Sequence, residues 1–89
     1  MEPRFIKIFC RGYKLIHGFD SNQKEIEEIE AGSAWVEKII SISRIQSITE
    51  KYIRMSYSHE RIIYWEYRGG LKNIQKALEH YGPVVSVGE

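Results

Sequence analysis

The sequence predicts an α+β domain: a mostly antiparallel sheet of about five strands with a carboxyl-terminal helix packed on one face. Three observations predict it. Apolar and polar side chains alternate over residues 5–19 and again over 52–68, the period of a strand buried on one side. Leu71, Ile74, Leu78 and Tyr81 recur at helical spacing, which makes one apolar stripe. Between these segments, β-branched runs are separated by glycines and short polar clusters of the kind that make turns. A sheet solvated on one face and covered by a helix on the other is the layered arrangement that fits this order.

The first twenty residues read as a hairpin. Ile6, Ile8 and Cys10 face one way and Phe5, Lys7 and Phe9 the other, while Tyr13, Leu15, His17 and Phe19 share a side. A two-residue loop at Arg11 and Gly12 pairs Cys10 with Tyr13, Ile8 with Leu15 and Ile6 with His17, so both apolar sets lie on one face. Gly12 supplies the positive φ that such a turn needs. Asp20 and Ser21 then cap a short helix near 21–31, with Ile26 and Ile29 as its stripe and Gly32 as its stop. The acidic run from Glu25 to Glu30 reads as the solvated face of that helix rather than as a mimic of nucleic acid.

From Trp35 the residues Val36, Ile39, Ile40 and Ile42 form a β-branched run, followed by a bend near Ser43 and Arg44 and a short return strand through Ile45 and Ile48. Residues 52–58 and 62–68 read as two strands. A loop of three residues, His59 to Arg61, pairs Ser58 with Ile62 and puts Ile53, Met55, Tyr57, Ile63, Trp65 and Tyr67 on one face. Gly69 and Gly70 mark the bend into the helix, and Gly82 with Pro83 closes it. The tail from Val84 to Val87 reads as an edge strand or as a segment lying against another copy.

A chain of 89 residues has room for one core, hence a single domain over 1–89. Domains this small are marginally stable alone, which makes a homodimer an expectation to test. Thirteen Lys and Arg against twelve Asp and Glu leave a net charge of +1, so no global field draws the protein to DNA or to an anionic membrane. Cys10 is the single cysteine. It has no disulfide partner and cannot anchor a thiolate metal site, which points to a reducing, cytoplasmic setting. No apolar run approaches the roughly 20 residues needed to span a bilayer.

Catalytic sets are missing from the sequence. His17 falls in a strand, His59 in a turn and His80 near a helix end, where a cation is favoured by the dipole. His, Cys, Asp and Glu do not cluster at metal-ligand spacing, and Gly69-Gly70 lacks the further residues of a phosphate loop. No enzyme, no cofactor and no metal is expected. The signal that remains is the face opposite the apolar set, which displays Tyr52, Arg54, Tyr64, Glu66 and Arg68, with His59 and Arg61 at the turn. Tyrosines beside arginines on a flat sheet stack on bases or on a partner's side chains. The same face is also the one that the first hairpin or a second copy would cover.

The stretch from Ile40 to Ile48, Ile-Ser-Ile-Ser-Arg-Ile-Gln-Ser-Ile, followed by a hairpin and the leucine-bearing helix, resembles two known patterns over residues 35–82. One is that of the short FlbD-like proteins associated with flagellar genes, with relatives in phages. The other is the first half of the LytTR type of DNA-binding domain. The LytTR pattern goes on to strands and loops that carry DNA contacts, whereas seven residues follow Gly82 here. The resemblance therefore implies architecture and carries no functional residue across.

These readings lead to a non-enzymatic binding module, a small phage or mobile-element type of protein that binds and inhibits a larger protein partner. Two alternatives stand beside it. One is a nucleic-acid-binding or transcription-regulating domain using the Tyr and Arg of the outer face. The other is a small-ligand-binding protein or enzyme with its site at a dimer interface.

Overall fold

The computed structural model describes residues 4–32 and 34–88. It is an α+β arrangement of six strands, β1 (Phe5–Phe19), β2 (Glu25–Glu30), β3 (Val36–Ser41), β4 (Ile45–Ile48), β5 (Tyr52–Tyr57) and β6 (Arg61–Tyr67), followed by helix α1 (Gly70–Glu79). All pairings are antiparallel, in the order β2-β1-β6-β5-β4, with β3 also paired to β1. No helix among the described residues is long and apolar enough to cross a membrane.

The expected first hairpin is instead one continuous strand. Gly12 stands at φ 61°, and the pairing of β1 with β6 slips there, from Arg11 opposite Glu66 to Tyr13 opposite Trp65. A glycine at positive φ inserted into a ladder is a β-bulge, and the extra residue reverses the in-and-out alternation. Ile6, Ile8 and Cys10 point inward before it and Leu15 after it. The two apolar sets share a face, as expected, but by a change of parity within one strand rather than by a turn.

The helix expected near 21–31 is not formed. Asp20 does act as a cap, accepting the N–H groups of Asn22 and Lys24 at 2.8 and 3.0 Å, but what it closes is the turn between β1 and β2. Every residue of β2 is exposed. Ile26 and Ile29, three residues apart, mimic a helical stripe, yet β1 supplies a ladder for this segment and wins. The tail expected as an edge strand has no strand structure over 84–88.

Cys10 is partnered by Val36 of β3 and by Tyr67 of β6, and Tyr13 by Glu30 of β2 and by Trp65 of β6. A strand residue has two edges, so β2 and β3 lie end to end along the edge of β1 that β6 leaves free. In a flat sheet β3 and β4 would then stand four strand spacings apart, roughly 19 Å at about 4.8 Å each. The chain bridges them with the 3-10 turn Ile42–Arg44, which advances only about 2 Å per residue. The sheet must curl, and Arg44 fastens the junction by donating two hydrogen bonds to the Ser56 carbonyl at 2.6 and 3.2 Å.

The curl wraps the inner face around a core of Ile6, Ile8, Cys10, Leu15, Ile40, Ile53, Met55, Ile63, Tyr67 and Ile74. Ile74 comes from α1, whose first turn is held by the Glu50 carboxylate accepting the Leu71 N–H at 3.2 Å. Negative charge there also suits the helix dipole. In the hairpin of β5 and β6 the odd residues point inward as expected, with Ile53, Met55, Ile63 and Tyr67 buried. The register differs from expectation by one pair: Ser56, not Ser58, lies opposite Ile62. His59 and Glu60 both adopt left-handed φ of 60° and 59°, so the tight turn spans Ser58 to Glu60 and Arg61 begins β6. Tyr57, at the far end of the inner row, remains 38% exposed.

Candidate functional site

The outer face of the sheet is not covered by the amino-terminal segment, because β1 extends the sheet edgewise beside β6 instead of folding over it. Even-numbered residues of β5 and β6 therefore look outward: Tyr52, Arg54 and Ser56 on one strand, Ile62, Tyr64 and Glu66 on the other. Across β1 they meet Arg11, opposite Glu66, and Lys14, opposite Tyr64. A half-open cleft of about 550 Å3 sits here. It is lined by Arg11, Lys14, Tyr52, Tyr64 and Glu66, and by the end of β2 and the residues just after it, Ile29 to Gly32. That volume lies in the range of small-ligand pockets and side-chain docking sites.

Charges in the cleft are mutually arranged. Arg11 donates through Nε and one terminal nitrogen to the two Glu66 oxygens, at 3.2 and 3.1 Å, a two-point contact that fixes both planes. The hydrogen bonds from Arg11 hold the Glu66 carboxyl below the usual range for a glutamate, against a smaller upward push from partial burial. Glu66 is thus ionised at neutral pH, which removes it as a general acid. Lys14 binds Glu27 of β2 at 3.0 Å, and its ammonium stands 5.9 Å from the Tyr64 ring centre. The Arg54 guanidinium lies 5.8 Å from the same ring and donates from Nε to the Gln46 side chain at 2.9 Å.

Of the residues expected on this face, Tyr52, Tyr64 and Glu66 line the cleft and Arg54 flanks it. Arg68 lies beyond Glu66, its guanidinium over Phe9 at 4.4 Å and over Trp35 at 5.6 Å. Arg61 and His59 are at the hairpin tip and do not reach the cleft. Arg61 binds Ser58 through its carbonyl and hydroxyl at 2.8 and 2.6 Å and lies over Tyr57 at 4.9 Å.

Sequence reasoning missed Arg11, Lys14 and Trp35. Trp35 carries Arg11 at 4.4 Å and Arg68 at 5.6 Å on one ring. Taking Arg11 as a turn residue hid it, and Trp35 reaches the site only because β3 lies beside β1. Also missed is a cluster at the other end of β1. Tyr13 donates to Glu28 at 2.7 Å, His17 meets the second oxygen of Glu28 at 3.2 Å, and Arg61 approaches the other ring nitrogen of His17 at 3.5 Å. The Tyr13 hydroxyl and His17 hold Glu28 below its ordinary range. The cluster ties β2 to β1 and to the tip of the hairpin between β5 and β6.

No protein-family model matches the chain, and neither a curated protein nor a solved structure does.

Proposed function

We propose that the protein is a non-enzymatic binding module that docks a larger protein partner on the outer face of its sheet and inhibits it by occupying that partner's surface. The observation that carries this reading is the open cleft between β2, β1, β6 and β5, where Tyr52 and Tyr64 stand beside ion-paired Arg11 and Glu66. Tyrosine and arginine dominate the buried centres of protein interfaces, because they bring large contact area together with hydrogen-bonding tips. Charged groups already fixed by one another lose little further freedom when a partner covers them. The proposed setting is the cytoplasm, in keeping with the lone buried Cys10, and the small size suits a phage or mobile-element inhibitor.

The test replaces Tyr64 with a photo-reactive phenylalanine, and in a second protein Lys72 on the exposed side of α1, before irradiation in a cell extract of the source organism. Docking on the outer face gives a discrete protein adduct from position 64 that is absent from position 72. Identical adduct patterns at the two positions, no adduct at 64, or a nuclease-sensitive one would each remove the reading.

A further inference from the structure

We propose that the outer face recognises an acidic extended segment of its protein partner, with two carboxylates seated on Arg54 and Arg68 and an apolar side chain between them in the cleft. The inference rests on the binding-module reading and specifies the chemistry of its ligand.

Its starting point is the distribution of satisfied and unsatisfied charge. On this face Lys7, Arg11 and Lys14 each have a carboxylate within ion-pair distance, from Glu37, Glu66 and Glu27. Among the described residues Arg54 and Arg68 have none. Arg54 meets only the neutral amide of Gln46, and Arg68 is stacked against Phe9 and Trp35. A guanidinium lying over a ring keeps the N–H groups at its rim free, and those form the fork that matches a carboxylate. Both arginines are thus held in place with donors unspent.

Their spacing sets the form of the ligand. Arg54 stands in the row of Tyr64, and Arg68 is four residues further along the chain of β6, roughly 13 Å at about 3.3 Å per residue. In an extended segment, positions i, i+2 and i+4 project from one side, so carboxylates at i and i+4 span that distance. The side chain at i+2 then falls over the cleft at the row of Tyr52 and Glu66.

Phosphate chains offer the same anionic chemistry but fit less well. The β2 side of the cleft carries Glu30 in the lining, and Glu27 of the same strand faces outward beside Lys14. A nucleic-acid strand bears a charge at every nucleotide and would be repelled there. A protein segment can place its acids at Arg54 and Arg68 alone and meet β2 with uncharged or basic residues.

The test measures binding of a fluorescent nine-residue peptide in which two glutamates four positions apart flank a central phenylalanine, the remainder being serine and threonine. Controls are the same peptide with lysines for glutamates, one with the glutamates adjacent, and a labelled oligothymidylate. The expected result is saturable binding of the spaced acidic peptide that exceeds all three controls. It weakens about tenfold or more in Arg54→Gln/Arg68→Gln, in line with the loss of two charge-assisted contacts. In Arg68→Glu, binding returns when the glutamate at one end is exchanged for lysine, which separates direct pairing from misfolding. Preference for the oligonucleotide, equal binding of the lysine peptide, or an unchanged affinity in the double variant overturns the proposal. Any of these is compatible with a protein adduct at position 64, so failure here is distinguishable from failure of the binding-module reading.

Discussion

Gly12 and Gly32 meet backbone against backbone where β1 kinks. A Cβ on Gly12 would stand 2.7 Å from the Glu30 carbonyl oxygen and 2.9 Å from the Gly32 nitrogen. The contact presses the chain after β2 onto the bulge that reverses the parity of β1, and so it shapes one wall of the cleft. Gly12→Ala meets both this contact and the cost of a left-handed φ for a residue with a side chain. It is expected to lower stability by about 2 kcal/mol or more in urea denaturation. Gly82→Ala, where the added atom meets nothing within 4 Å, should change it by less than about 1 kcal/mol. Equal effects of the two substitutions would mean that the bulge tolerates a side chain.

The pairing of Arg11 with Glu66 makes part of the stability depend on pH. Because the folded protein holds the Glu66 carboxyl low, through the hydrogen bonds from Arg11, the unfolded chain takes up a proton first as pH falls. The contribution is complete above the ordinary glutamate range and disappears as pH drops through the lowered folded value. Wild type should therefore exceed Glu66→Gln in stability at pH 7, and the gap should close on acidification. A gap that is constant from pH 7 to pH 3 would show that the pair does not differentiate folded from unfolded protein.

Cys10 reports the tightness of the core. It is 1% exposed, and burial pushes its thiol up to about 11, against a smaller opposite pull from Lys38. Iodoacetamide should modify it slowly in native protein at pH 8.5 and quickly in urea. The sign for stability follows. Between the ordinary thiol value and about 11 the unfolded chain releases its proton while the folded chain keeps it, so stability should decline with rising pH in that window, relative to Cys10→Ala. Equal alkylation rates in native and denatured protein would place the thiol at the surface.

How much of this was legible in the sequence depended on whether a segment buries one face. In β5 and β6 it does: Ile53, Met55, Ile63 and Tyr67 sit at every second position, and parity alone fixed which side Tyr52, Arg54, Tyr64 and Glu66 would take. In β2 neither face is buried, so no alternation is imposed, and the spacing of Ile26 and Ile29 imitated a helix. Gly12 was ambiguous because positive φ serves a turn and a bulge equally. Its role is decided by β6, more than fifty residues away in the pairing of Arg11 with Glu66. The same distance hid the cleft, since Arg11, Lys14 and Trp35 join Tyr52 and Tyr64 only after the sheet has assembled and curled.

The edge strand β2 offers the last expectation. Among the described residues it pairs only with β1, and it shows Ile26 at 45% and Ile29 at 67% exposure, the features that recruit further strands. Four of its six residues are glutamates, so any antiparallel pairing of β2 with a second β2 sets acid against acid or against isoleucine. Glu27 and Glu28 are engaged with Lys14 and with Tyr13 and His17, which leaves Glu25 and Glu30 as the charges best placed to repel a neighbour. Glu25→Gln/Glu30→Gln should self-associate at neutral pH and concentrations where wild type gives a lower mass by light scattering. Adding Ile29→Lys should reverse this by restoring charge to the same edge. Removing the two carboxylates spares the internal ion pairs, so a gain in association with an unchanged far-UV spectrum assigns the effect to the edge. A double variant with the same mass as wild type would mean that these glutamates do not guard it.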